Sequence, residues 1–92
     1  MFEIQLRPEA VRRLRSLRRV DVVAILKALE KHLRHEPERP SRSRIKRLRG
    51  REDATYRLRV GHFRVFYDVE DGIVDVITVL HKDQTAAFCR KE

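Results

Sequence analysis

Over residues 56–67 the chain reads YRLRVGHFRVFY, with apolar and basic positions alternating on either side of a glycine. Tyr56, Leu58 and Val60 share one parity and Arg57 and Arg59 the other, so an extended backbone sends the two sets to opposite faces. Past Gly61 and His62, Phe63, Val65 and Tyr67 resume the apolar parity and Arg64 the basic one, with Phe66 on the basic side as well. The pattern predicts a β-hairpin with one oily face and one cationic face. On pattern alone, a solvated strand face accounts for these arginines, whose methylene stems cover apolar neighbours while the heads stay in water. The alternative is a wall on which three guanidinium groups converge.

Upstream, Phe2, Ile4 and Leu6 alternate with Glu3, Gln5 and Arg7, a half-buried strand that ends at Pro8, a residue suited to the first turn of a helix. Val11, Leu14 and Leu17 then form one stripe, with Arg12, Arg13, Arg15 and Arg18 away from it, as in an amphipathic helix with a basic outer face. Asp21 is the expected cap of a second helix. Its buried stripe is Val22, Ile25, Leu26, Leu29 and Leu33, and it stops before Pro37. Residues 36–44 read as a mobile surface loop. Residues 45–51 read as a basic turn around Gly50, in which Lys46, Arg47, Arg49 and Arg51 can hold phosphates. Asp68, Glu70 and Asp71 read as turn residues. After Asp71 and Gly72, residues 73–80 are apolar at both parities except for Asp75, as expected of a strand covered on both sides. His81, Lys82 and a tail containing Phe88 finish the chain as a brief helix.

Length and charge narrow the function. With 92 residues and 41% hydrophobic content, the chain is expected to form one domain spanning residues 1–92. The net charge of +8 is unevenly placed: residues 1–51 carry +10 and residues 52–92 carry −2. Such an excess points to a polyanion, because Lys and Arg that neutralise phosphates release condensed counterions. Cys89 is the lone cysteine, so no internal disulfide can form, which fits a reducing cytoplasm. No apolar run approaches the roughly 20 residues that span a bilayer, so no membrane partner is expected. His32 and His35 lie three apart, yet no third ligand accompanies them, and the chain lacks zinc-type spacing, Gly-rich phosphate loops and nucleophile elbows. No cofactor is expected.

Leu48, Arg49 and Gly50 followed by the GHFRVFY run at residues 61–67 resemble the L-x-G segment and the G-x-[YF]-R-x-x-Y run of the bacterial RelE/ParE toxin superfamily. The resemblance extends from the first strand through Phe88. It implies an α+β fold: an N-terminal strand, a two-helix hairpin and a three-stranded antiparallel meander in one sheet, with a short C-terminal helix. Helices would cover one side and a basic groove would occupy the other.

For the RelE branch the resemblance implies a toxin of a type II toxin–antitoxin pair, a metal-independent endoribonuclease acting on mRNA in the ribosome and neutralised by a cognate antitoxin. Arg64 matches the position assigned to phosphate stabilisation, and Lys82 to the donor for the departing 5′-oxygen. Arg57 and Arg59 match positions lining the groove. A guanidinium keeps its proton, so neither can be the base; His81, or else His62, is the candidate, imidazole titrating near neutrality. Phe88 stands where RNA-cleaving members have a tyrosine, able to stack on a base but not to move a proton. That departure favours the ParE branch, whose members poison DNA gyrase as binding modules without nuclease residues. A basic domain that binds RNA or protein without toxicity is the third reading.

Overall fold

Period-two alternation is what builds the sheet. The computed structural model describes residues 1–41, 44–48 and 54–85. Within them β1 (Glu3–Leu6), β2 (Ile45–Arg47), β3 (Tyr56–Val60), β4 (Phe63–Glu70) and β5 (Ile73–His81) pair in the order β1-β5-β4-β3-β2. Helices α1 (Pro8–Arg15) and α2 (Arg19–Leu33) separate β1 from β2, and a 3-10 turn, Lys82–Gln84, follows β5. β1 runs parallel to β5 and every other pairing is antiparallel. Parallel neighbours cannot be joined by a tight turn; here the helices carry the chain to the far edge of the sheet, and the antiparallel strands bring it back beside β1.

The α+β class stands as expected, but the sheet has five strands rather than four. The extra one is β2, where a basic turn was expected. Ile45 is buried opposite Leu58 on β3, while Lys46 and Arg47 stay exposed. A three-residue strand with one apolar side chain carries too little periodicity to announce itself.

α2 also begins earlier than Asp21. Ser16 and Leu17 close α1 by donating their N–H groups to Arg13 O and Leu14 O, at 3.2 and 3.1 Å. Arg18, extended at φ −67 and ψ 150, then opens α2 without a side-chain cap. Asp21 lies in the first turn with Oδ2 3.5 Å from Arg18 Nε, where its charge still suits the positive helix end. The stripe that α2 buries is Ile25, Leu29 and Leu33; Leu26, expected within it, is 40% exposed.

Ala10 and Leu14 of α1 join that stripe against Leu58, Val65, Tyr67, Val74 and Val76 to make the main core. Leu48, Ala54, Phe66 and Leu80 form a second apolar cluster. β5 contributes to both because its register against β4 slips: Tyr67 faces Val76 but Phe66 faces Thr78, leaving Ile77 as a bulge. Val76 and Val79 therefore both face the helices, while Thr78 and Leu80 share the face of Phe66 and Arg64. This accounts for the mixed parity of residues 73–80.

Two-residue turns join the meander. Gly61 (φ 56) links β3 to β4, and Asp71 (φ 52) with Gly72 (φ 76) links β4 to β5, the Asp-Gly pairing suited to a primed hairpin turn. Asp68, expected in a turn, lies within β4 opposite Asp75. The loop after α2 is tied rather than loose along its described part: Pro37 is buried, and its carbonyl accepts the Tyr67 hydroxyl at 2.6 Å.

Candidate nucleic-acid interface

Residues directly opposite in an antiparallel ladder stand on the same face. One row runs Lys46, Arg57, Phe66, Thr78, and the next runs Arg59, Arg64, Leu80. Four of the cations expected at the site thus share the face turned away from the helices. Lys46, Arg57, Arg59 and Arg64 line a concavity of about 250 Å³, and among the described residues no carboxylate lines it with them. None of the four forms a salt bridge among the described residues.

Crowding marks this wall electrostatically. The Arg64 guanidinium holds its proton less tightly than usual, first because it is partly buried and then because Arg59 and Arg57 repel it. It remains charged nonetheless, as guanidinium groups do in proteins. An oxyanion in the concavity would relieve that repulsion. Arg57 Nε is buried without a hydrogen-bond partner among the described residues, a donor left aimed at nothing. Arg64 is differently committed: Nη1 donates to Gly61 O and Phe63 O, both at 2.9 Å, bracing the hairpin turn.

The register does not bring His81 into this groove. His81 is opposite Phe63, and the two rings meet edge to face at 5.6 Å. Phe63 packs on the helix-side core, so His81 stands on the opposite face from Arg64. His81 also stacks on His62 with centroids 6.0 Å apart, which places both expected bases together. Its Nδ1 accepts the Asp83 N–H at 3.2 Å, so the ring caps the 3-10 turn. Lys82 follows, exposed, and donates its backbone N–H to His62 O at 2.7 Å. Arg64 and Lys82 are thereby anchored on the same hairpin turn. Arg49 and Phe88 lie outside the described residues.

Two contributors went unnoticed in the sequence. Arg44 and Ser41 line the concavity beside Lys46. Arg44 O accepts the Arg59 N–H at 2.8 Å, so the chain begins to pair with β3 one residue before β2. The signal was the R-I-K alternation at residues 44–46, which sets Arg44 at the parity of Lys46.

The same sheet face ends in acid. Along β4 its residues are Arg64, Phe66 and Asp68, and Asp68 is opposite Asp75. Arg7 holds Asp75 Oδ2 through Nε and Nη2, each at 2.8 Å, while Thr55 Oγ1 donates to Asp68 Oδ1 at 2.6 Å. Among the described residues no group of three or more His, Cys, Asp or Glu could hold a metal ion, and no helix is long and apolar enough to cross a membrane.

Three solved structures that share this architecture come from complexes of RelE with RelB or of RelBE2. The fold matches the archaeal RelE–RelB complex from Pyrococcus horikoshii with a TM-score of 0.73 at 24% identity, covering 90% of this chain and 97% of that one. It matches the toxin–antitoxin complex RelBE2 from Mycobacterium tuberculosis equally well, at 0.73 and 26% identity, over 87% of this chain and 96% of that one. The RelB–RelE complex from Methanococcus jannaschii follows at 0.60 and 18% identity, over 90% and 95% of the two chains. Among curated proteins no sequence match is found. The family model described as ParE toxin of type II toxin–antitoxin system, parDE, matches residues 4–86. The chain belongs to that toxin family, within the RelE/ParE superfamily.

Proposed function

We propose that this toxin seats an mRNA phosphodiester in the groove between β2, β3 and β4 and cleaves it on the ribosome without a metal. The supporting observation is the set of cations on adjoining strands, Lys46, Arg57, Arg59 and Arg64, with no carboxylate beside them in the groove among the described residues. In this reaction the 2′-hydroxyl gives its proton to solvent water and its oxygen attacks the adjacent phosphorus, the bond from phosphorus to the 5′-oxygen breaks, and a cyclic phosphate and a 5′-hydroxyl result. Arg57, Arg59 and Arg64 stabilise the charge that builds on the phosphoryl oxygens, and Lys82 protonates the departing 5′-oxygen. His81, on the far face, takes no part in the proton transfer. The acceleration then rests on alignment and charge stabilisation. A cognate antitoxin with an acidic segment would neutralise the groove, in keeping with the RelB-bound structures the fold resembles.

A second reading is a gyrase poison that works by binding alone. Two observations favour it: the family model that matches is that of ParE, and among the described residues the groove holds no imidazole or carboxylate to act as a base.

Programmed ribosomes with end-labelled mRNA in EDTA, run beside a gyrase cleavage assay, separate the two. Codon-phased cuts that require ribosomes and disappear in Arg57→Ala are the expected result. Arg57 is a cleaner probe than Arg64, whose loss also unbraces the hairpin turn. Gyrase-trapped double-strand breaks with intact mRNA would establish the second reading, and neither product would leave a binding domain without toxicity.

A further inference from the structure

The groove does not end at the sheet. A second concavity, of about 420 Å³, lies at the C-terminal end of α2 and includes Lys31, His32, His35 and Arg39 in its lining. The two concavities share Pro40, Ser41, Arg44 and Ile45, so they meet across one ridge.

The described residues of that ridge are bonded to one another and to the sheet. Ser41 N–H donates to Ile45 O at 2.9 Å, and Ser41 Oγ accepts the N–H groups of Arg44 and Ile45, both at 3.1 Å. Arg44 O takes the Arg59 N–H from β3. The Arg44 backbone is therefore held to the sheet while its side chain stays exposed between the two hollows. It reaches into the second hollow electrostatically: His32 there is held below its usual proton affinity by burial first, and then by Arg44 and Lys31.

Charge in the second hollow favours an anion once its pairs are set aside. Glu36, its acid, is matched by Arg39 at 2.9 Å, which leaves Lys31 and Arg44 unpaired among the described residues. Lys31 and His32 also offset the negative end of α2. The half-buried His32 and exposed His35 supply aromatic faces of the kind on which unpaired bases stack.

Building on the proposed RNA reading, we infer that the two hollows form one continuous track for single-stranded RNA. The strand leaves the groove, crosses Arg44 and continues to Lys31 and His32, with Arg44 contacting a phosphate at the crossing. Single strands suit such a path because they bend over a ridge and offer bases for stacking, whereas a duplex presents a stiff rod.

The track makes binding depend on length. Uncleavable 2′-O-methyl oligouridylates, a dinucleotide and a decanucleotide, are titrated at several salt concentrations against the full chain, Lys31→Ala and Lys31→Arg. The wild type is expected to show a steeper salt slope with the decanucleotide. Lys31→Ala should weaken decanucleotide binding roughly threefold to tenfold at low salt and lower its slope by about 0.7, the share of one single-strand phosphate contact. It should leave the dinucleotide unaffected, and Lys31→Arg should restore the loss. If Lys31→Ala binds the decanucleotide like wild type, the track is overturned while the groove stands. If the wild type binds neither oligomer, the track is overturned, and the ribosome cleavage assay decides the RNA reading separately.

Discussion

Arg59 and Arg64 are directly opposite one another across β3 and β4, two like charges at one rung of the ladder. Like charges in that position cost a sheet on the order of 0.2–1 kcal/mol, and the proton affinity of Arg64 is lowered first by burial and then by this repulsion. A fold selected for stability alone would place a threonine at one of these positions. Arg59→Thr is therefore expected to raise the melting temperature by a few degrees, since about 1 kcal/mol moves a domain of this size by 4–8 °C. The same change should weaken RNA binding. Calorimetry and a binding titration on one preparation check both halves, and a melting temperature that falls would overturn the account.

The buried bond from the Tyr67 hydroxyl to Pro37 O crosses 30 residues and ties the loop after α2 to the core. Burial pushes the phenol's proton affinity up, so it stays a donor through any working pH. Tyr67→Phe leaves the ring and its stacking on Tyr56 intact but strands the Pro37 carbonyl. A loss of about 1–3 kcal/mol in urea unfolding is expected.

His32 makes stability depend on pH. Its folded proton affinity is lowered, chiefly by burial, so the unfolded chain takes up the proton first as pH falls. The associated stability is complete above the ordinary histidine value of about 6.5 and is lost as pH drops through the lower folded value. Unfolding followed from neutral to mildly acidic pH should show that decline. His32→Gln should remove part of it.

Gly72 has φ 76 and open space where a side chain would project. Gly72→Ala therefore meets no clash and isolates the cost of left-handed backbone, about 1–2 kcal/mol. Asp71→Gly next to it should be neutral or slightly stabilising, because Asp71 already accepts φ 52. Thermal melts of the two variants give the comparison.

What could be read beforehand follows from which interactions are local. The hairpin over residues 56–67 was legible because its alternation is unbroken, and the cationic wall of Arg57, Arg59 and Arg64 came with it. The start of α2 was not, since Arg18 sets its direction through backbone conformation rather than a capping side chain. β2 was too short to show a period. The placing of His81 failed for a longer-range reason. Without the extra residue at Ile77, the alternation that puts Val74 and Val76 toward the helices would put His81 beside Arg64. The bulge reverses that parity, and it arises from pairing with β4, which residues 73–81 do not encode by themselves.

The order Arg64, Phe66, Asp68 along one strand gives the sheet face turned away from the helices a built-in voltage gradient. A negatively charged thread drawn in at one end meets rising opposition toward Asp68 and Asp75, so its advance is arrested by the surface itself. On the proposed RNA reading, the protein, rather than the length of the strand, thus fixes where that strand must turn aside.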